Sequence, residues 1–322
     1  IHADQSEVIF EKLDNIALIV EQKVDDMKRQ YEAANHKKYK IGLVTDSIAD
    51  LPESLIDQYQ IHQIPINIHM NDTNYYDKVT IQSTRFYQMM DSLEVYPTSS
   101  QPNVKTLENF FSFLTTYYDE IIVLTVSEKM SGTYRAFMDA TSKFEKHKIK
   151  VINSKQNSGA EGLLVMKAAE LIASKTPFDQ VVSELEALTA KTKILVSVKT
   201  LKYMVRSGRV SKTTGLVGKI LNLKPVISID DTGEGIIYAK GLSLRSSNKK
   251  IRKHIEEIQS TYGIERYAIV HANAGDRAAS YETLYTKIIG KAPSYVMDIS
   301  TVVAMSAGIG TVAIAYIRKD QA

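Results

Sequence analysis

The 322-residue sequence contains no cysteine. That excludes disulfides, thiol chemistry and thiolate metal sites, and it fits a reducing cytoplasm. There is no apolar run near 18 residues and no signal-peptide pattern, so no integral membrane span is expected. There is no strong excess of either charge. A formal net charge of +3 gives no case for a nucleic-acid or membrane-surface partner. HExxH is missing, and His62 and His69 read as packing or surface residues, so no metal and no other cofactor is expected. A GxSxG elbow and a GxxxxGK[ST] phosphate loop are missing too. An enzyme acting directly on a small anion would need a titratable pair, and only Asp46 and Arg209 offer one.

What is present is an ordinary globular composition, 44% hydrophobic and 24% charged, with length for two cores. Residues 1–38 form a first segment. Leu13, Ile16, Ala17, Val20, Val24, Met27 and Tyr31 recur at helical spacing after a capping box at Asp4 and Glu7. They predict one amphipathic helix of about 28 residues and a polar linker.

Residues 39–190 alternate between strand and helix. Strands are expected at 41–45, 61–68, 121–126 and 148–152, with Pro65 marking an edge or irregular position. Helices are expected at 80–91, 103–117, from 131, 158–173 and from 177. The alternation predicts a doubly wound parallel sheet, in which ligands bind beyond the carboxyl ends of the strands. Residues 191–322 predict a smaller α+β domain with a mixed sheet. Its parts are a strand at 193–198, a short helix at 213–221 and a hairpin at 225–229 and 236–240. Helices at 247–262 and 276–290 and strands at 266–271, 294–299 and 311–318 complete it.

Two hydroxyl-rich stretches fall near the carboxyl edge of the parallel sheet. One is Tyr96-Pro97-Thr98-Ser99-Ser100-Gln101-Pro102, held extended by its prolines. The other is Thr125-Val126-Ser127-Glu128-Lys129-Met130-Ser131-Gly132-Thr133, directly after a strand. Either could be spent on helix caps, but together they could share one polar pocket with Asp46 and Ser47. Arg209 and Lys212 with Gly208, Gly215 and Gly218 make a flexible basic loop, and Ser306-Ala307-Gly308-Ile309-Gly310-Thr311 is a second glycine-rich turn. Hydroxyls, glycines and one arginine suit holding an anion better than transforming one.

Taken together, several motifs resemble the DegV family in order and spacing over roughly residues 40–320. They are Val44-Thr45-Asp46-Ser47 with Asp50-Leu51, the Pro97–Pro102 stretch, Ser127 with Ser131-Gly132-Thr133-Tyr134, Glu161-Gly162, Ser207-Gly208-Arg209-Val210-Ser211 and Leu223-Lys224-Pro225. The resemblance implies a two-domain α/β protein that binds a long-chain fatty acid between its domains. It also implies presentation of the acyl carboxylate to a separate ATP-dependent fatty acid kinase, with no chemistry of its own. On that resemblance Thr98 hydrogen-bonds the carboxylate, with Ser99, Ser127, Ser131, Gly132 and Thr133 beside it. Arg209 supports the head-group network, and Arg245 contacts the kinase.

The chain departs from the family pattern at Ser306, where a histidine precedes the Gly308 turn in the family, and at Asn153-Ser154, where Asp-Ser or Asp-Thr is usual. Both changes bear on phosphoryl transfer more than on lipid binding. Ile64, Ile66, Phe86, Met90, Phe137 and Leu163 are candidates for the acyl tunnel or for ordinary core. Residues 1–32 resemble the end of the middle domain of the kinase subunit, which implies a dihydroxyacetone-kinase-like module fused upstream or acting as a separate partner. The alternatives are an enzyme acting on a small anion and a regulatory module without lipid.

Overall fold

The computed structural model describes residues 6–13, 16, 22, 24–70, 72–90, 92–209 and 223–321. The first sheet is four-stranded and wholly parallel, with spatial order β2-β1-β6-β7. Its strands are β1 (Ile41–Asp46), β2 (His62–Ile64), β6 (Glu120–Thr125) and β7 (Lys148–Asn153). Alternate residues face opposite sides. Val44, Ile121, Val123 and Val151 pack against Phe111 of α5 (Val104–Leu114) and Phe137 of α6 (Thr133–Thr141). Leu43, Ile122, Leu124 and Ile152 belong to the core on the other side.

That other side is covered by α7 (Ser158–Ala173), which also packs against the second sheet. A helix between two sheets must be apolar all round. Accordingly Leu163, Leu164, Val165, Ala168, Ala169 and Ile172 are all buried. Each of the larger side chains gains roughly 1.5–3 kcal/mol on burial. One apolar core therefore runs from the first sheet through α7 to the second. Helix α8 (Phe178–Thr189) leads from α7 into the second sheet.

The second sheet is mixed, with order β10-β9-β8-β13-β11-β12. It comprises β8 (Thr192–Ser197), β9 (Val226–Ile229), β10 (Gly235–Ala239), β11 (Ile264–His271), β12 (Val296–Asp298) and β13 (Val312–Arg318). All neighbours are antiparallel except β11 and β12. Leu195, Tyr267, Ile269, Ile314 and Tyr316 turn one face towards α10 (Leu244–Thr261) and α11 (Gly275–Ile289). The expected fold class, a parallel α/β sheet followed by an α+β unit with a mixed sheet, is the one observed.

The structure adds elements and redraws others. The apolar stretch at 61–68 splits at Pro65 into β2, an edge strand of the parallel sheet, and β3 (Asn67–Met70). β3 pairs with β4 (Thr73–Tyr76) and β5 (Thr98–Ser100) in a separate antiparallel sheet. The expected single long helix near the start is not continuous. α1 (Ser6–Leu13) and α2 (Met27–Asn35) are separate, and Val24, Asp25 and Asp26 are not helical. Asp26 instead caps α2, accepting the Arg29 N–H at 2.8 Å, as short acidic side chains favour. The helix expected at 213–221, with Lys212, Gly215 and Gly218, lies outside the described residues.

Candidate functional site

The two hydroxyl stretches meet. Gln101, two residues from Ser99, lays its side chain over Gly132, where a Cβ would collide with it. Asn67 Nδ2 donates to Gln101 O at 3.2 Å, which ties β3 to the end of the first stretch. The fates of the hydroxyls then diverge. Thr98 is exposed and Ser99 half-buried, and neither side chain makes a hydrogen bond among the described residues. Ser100 Oγ lies 2.8 Å from His69 Nε2.

The second stretch is committed internally. Ser127 is fully buried, its Oγ donating to Gly233 O at 2.7 Å and accepting the Lys129 N–H at 3.2 Å. Gly233 turns the β9–β10 hairpin at φ +92°, where a side chain would be strained and its Cβ would strike Ser127 Oγ. Ser131 Oγ and Thr133 Oγ1 lie 2.7 Å apart, with Thr133 buried at the start of α6. Asn153 Oδ1 accepts the Lys155 N–H at 2.9 Å, capping the turn after β7.

Asp46 and Ser47 are likewise structural. Asp46 accepts the Ile48 N–H at 3.0 Å and the Val126 N–H at 2.9 Å, joining the ends of β1 and β6. Ser47 Oγ donates to Asp77 at 2.6 Å and accepts the Ile66 N–H at 3.1 Å. Asp77 and Asp50 carry the junction across to the second half of the chain. Asp77 accepts the Val302 N–H at 3.3 Å. Asp50 accepts the Ser300 N–H at 2.8 Å and the Ser158 hydroxyl at 2.5 Å, with Lys78 Nζ at 3.6 Å. Tyr295 OH donates to Asp50 O at 2.9 Å, in space that Gly162 leaves free.

Burial raises every carboxyl of this junction, because a charge in a dry interior is costly. Asp46 is pushed up to about 7 and Asp77 to about 6, with Lys78 and their hydrogen bonds pulling the other way. Asp50 is raised, and Glu161 is raised well above the carboxylate range. Neither carboxyl oxygen of Glu161 has a partner among the described residues. A protonated Glu161 is the physical consequence.

Beside this junction lies a cavity, partly open, with about 600 Å³ of space between atoms when the open solvent is counted. One wall is the α7-facing side of the mixed sheet, with Ile194, Val196, Ile227, Ile229, Val270 and Ala313. The opposite wall includes Ile299 and the residues Val303 and Ala307 of α12 (Thr301–Ala307). Met130, from the second hydroxyl stretch, and Met204, from α9 (Lys202–Ser207), close it with adaptable side chains.

Most polar groups on its surface are already spent. Ser158 is held by Asp50, Ser228 Oγ donates to Ile194 O at 2.7 Å, and Thr311 Oγ1 donates to Ala307 O at 2.8 Å. His271 Nδ1 accepts the Ala274 N–H at 3.3 Å and lies 3.6 Å from Asp298. The side chains of Ser306 and Asn157 make no hydrogen bond among the described residues. Among the described residues Arg209 bonds only Ser207 O, which leaves most of its donors open there. The arrangement can hold one anionic end against an apolar body, and the titratable pair beside it is His271 with Asp298, of which only His271 lines the cavity. Asp46 and Arg209 do not form one, since Asp46 is buried with both oxygens engaged and does not line the cavity.

Of the residues expected at a head group, Arg209 and Ser306 line the cavity, whereas Thr98, Ser99, Ser127, Ser131, Gly132 and Thr133 do not. Gly308 follows α12 at φ +76°, with the Tyr203 ring packed where its Cβ would be. Arg245 is exposed in the first turn of α10. The proposed tunnel residues are core instead. Ile64 and Phe137 pack beside α5, and Ile66, Phe86, Met90 and Leu163 pack in the shared core. Sequence reasoning missed Asn157, Met130, Met204 and the sheet wall. The alternation of Ile194 with Val196 and of Ile227 with Ile229 was the available signal, since it puts one apolar face on each strand.

The fold and cavity define an α/β protein with a parallel and a mixed sheet closed on one central helix, enclosing an apolar cavity with few open polar groups. The chain belongs to the DegV family, whose model, described as an uncharacterised protein of the DegV family, matches residues 40–319. A DegV domain-containing protein of Clostridium acetobutylicum is 28% identical over 87% of this chain and 99% of its own. Another, of Caldanaerobacter subterraneus subsp. tengcongensis, is 32% identical over 69% of this chain and 78% of its own. Among solved structures, that of DegV, a fatty acid binding protein from Bacillus subtilis, superposes with a TM-score of 0.80 at 25% identity, covering 88% of this chain and all of the other.

Proposed function

We propose that this protein binds a long-chain fatty acid, with the acyl chain against the mixed sheet and the carboxylate at the hydroxyl end of the cavity. The observation that carries this reading is the composition of the cavity, an apolar wall on which, among the described residues, few polar groups are left open, namely those of Arg209, Ser306, Asn157 and the Nε2 of His271. The Bacillus subtilis neighbour, described as a fatty acid binding protein, supports it. A chain of about 15 methylenes gains roughly 12 kcal/mol on burial. Association and ordering take back about 4–15 kcal/mol, so a preformed dry wall and a hydrogen-bonded carboxylate are both required.

In this reading Arg209, Ser306 and Asn157 meet the carboxylate from the cavity lining, Thr98 and Ser99, outside that lining, add open hydroxyls from the first half, and Ser131, Gly132 and Thr133 form the adjoining rim. Ser127, Asp46, Ser47, Asn153 and Gly308 act as framework. Residues 39–190 and 191–322 are the two units the ligand bridges. The protein does no chemistry alone. It hands the carboxylate to a cytoplasmic fatty acid kinase, separate or fused, and exposed Arg245 belongs to that contact. Mass spectrometry of the purified, denatured protein should reveal a bound fatty acid, and the delipidated protein should take up oleic acid. No endogenous lipid and no uptake would overturn the reading.

A further inference from the structure

The two sets of open hydroxyls, Thr98 with Ser99 and Ser306, come from opposite halves of the chain, and one side chain connects them. Tyr96 lies two residues before Thr98. Its hydroxyl donates to Met305 O, the carbonyl of the residue before Ser306. That carbonyl is in the last turn of α12, where carbonyls lack helical partners. The Tyr96 ring also stacks on Tyr203 of α9, with centroids 6.0 Å apart and planes 27° apart. The Arg206 guanidinium sits 5.2 Å over the Tyr96 ring, and Tyr203 in turn packs on Gly308. Helix α9 carries Met204 and leads directly to Arg209, both on the cavity surface.

We propose that Tyr96 is a positioning residue for the head-group end of the cavity, a strut that sets the spacing between the β5 hydroxyls and the Ser306–Arg209 side. It touches no ligand itself. Its hydroxyl fixes β5 relative to α12, and its ring, in contact with both Tyr203 and Arg206, fixes β5 relative to α9. Burial pushes the pKa of its phenol up, which keeps the proton on the hydroxyl and preserves the donor. The consequence for ligand is kinetic. Loosening the strut lets the two sides of the mouth separate, and a bound acid leaves faster.

The proposal rests on the fatty-acid reading, and stopped-flow binding of cis-parinaric acid to the delipidated protein separates the two. Wild type, Tyr96→Phe, Tyr96→Ala and Arg206→Ala are compared for binding stoichiometry, association rate, dissociation rate and thermal midpoint. Tyr96→Phe keeps the stack and loses the hydroxyl, so dissociation rises about threefold. Tyr96→Ala loses both and should rise about tenfold, and Arg206→Ala about twofold. Stoichiometry and association stay near wild type. Partial rescue by phenylalanine distinguishes a strut from general loss of packing. Uptake by wild type with unchanged dissociation in all three variants overturns the strut, as does a fall in stoichiometry without a change in rate. Failure of wild type to take up the acid overturns the fatty-acid reading, and the strut with it.

Discussion

Two stretches of this chain look alike on paper and differ in the folded protein. Thr125–Thr133 follows a buried strand, and its hydroxyls are used up. Ser127 holds the hairpin turn at Gly233, and Ser131 pairs with Thr133. Thr98–Ser100 forms an edge strand of a small antiparallel sheet, and its first two hydroxyls are open. In the first stretch Thr125, Ser127 and Thr133 are buried, Ser127 beneath the hairpin at Gly233, so their hydroxyls must find protein partners. The second stays at the surface, where water or a ligand can serve. Hydroxyl content alone therefore does not mark a binding loop. Unspent hydroxyls do.

The contrast breaks first with pH. Asp46 anchors the committed stretch through the Val126 N–H, and burial raises its carboxyl from 3.8 to about 7. A raised folded-state value means that the folded form binds the proton more tightly than the unfolded chain. Its stabilising contribution is complete below about pH 4 and is lost as pH rises through about 7. The largest slope from one such group is about 1.4 kcal/mol per pH unit. Denaturant unfolding from pH 4 to 8 should show stability falling across that window, and Asp46→Asn should flatten the fall. The variant should also be less stable at pH 4, since its amide nitrogen cannot accept either backbone N–H. Parallel curves for the two proteins would show that Asp46 does not titrate there.

A smaller effect sharpens the same comparison. Ser127→Ala leaves Gly233 O and the Lys129 N–H without the hydroxyl in a buried site, a loss of about 2 kcal/mol. The thermal midpoint should drop by several degrees, while the dissociation constant for oleic acid, measured well below the midpoint, stays within about twofold of wild type. A midpoint unchanged within error, with binding lost, would move Ser127 from framework to ligand contact.

How much of this could be read in the sequence depends on how local the determinants are. Helix α7 runs from Ser158 to Ala173 as expected, because its start residues and its apolar run are contiguous. The parallel sheet and the hairpin around Gly233 were legible for the same reason. Helix α12 and strand β4 were not read, since both are short; β4 pairs with its neighbour β3, whereas α12 is held by a distant partner. Asp77 accepts the Val302 N–H from 225 residues away in sequence. The prolines at 97 and 102 made the extended form of 98–100 legible, but not its pairing with β3. The fate of Ser127 was illegible because its partner lies 106 residues further on. The cavity wall required knowing that β8, β9, β11 and β13 present one common face. Residue type names the groups available. Only the assembled chain says which of them are already engaged.

The open member of the pair gives the smallest perturbation of the fold. Thr98 is exposed and makes no side-chain hydrogen bond among the described residues, so Thr98→Ala should alter stability by no more than about 0.5 kcal/mol. Its cost should fall on the ligand. A hydrogen bond to a carboxylate contributes about 1.5 kcal/mol at the low end, which is roughly a tenfold rise in the dissociation constant for oleic acid. Thr98→Ser keeps the hydroxyl and should restore most of the affinity. Ser127→Ala and Thr98→Ala should thus exchange phenotypes, one losing stability with binding intact and the other losing binding with stability intact. Isothermal titration of the delipidated proteins, with thermal unfolding of the same samples, tests both halves together. Affinity unchanged in Thr98→Ala would remove β5 from the carboxylate site and leave that role to Arg209, Ser306 and Asn157.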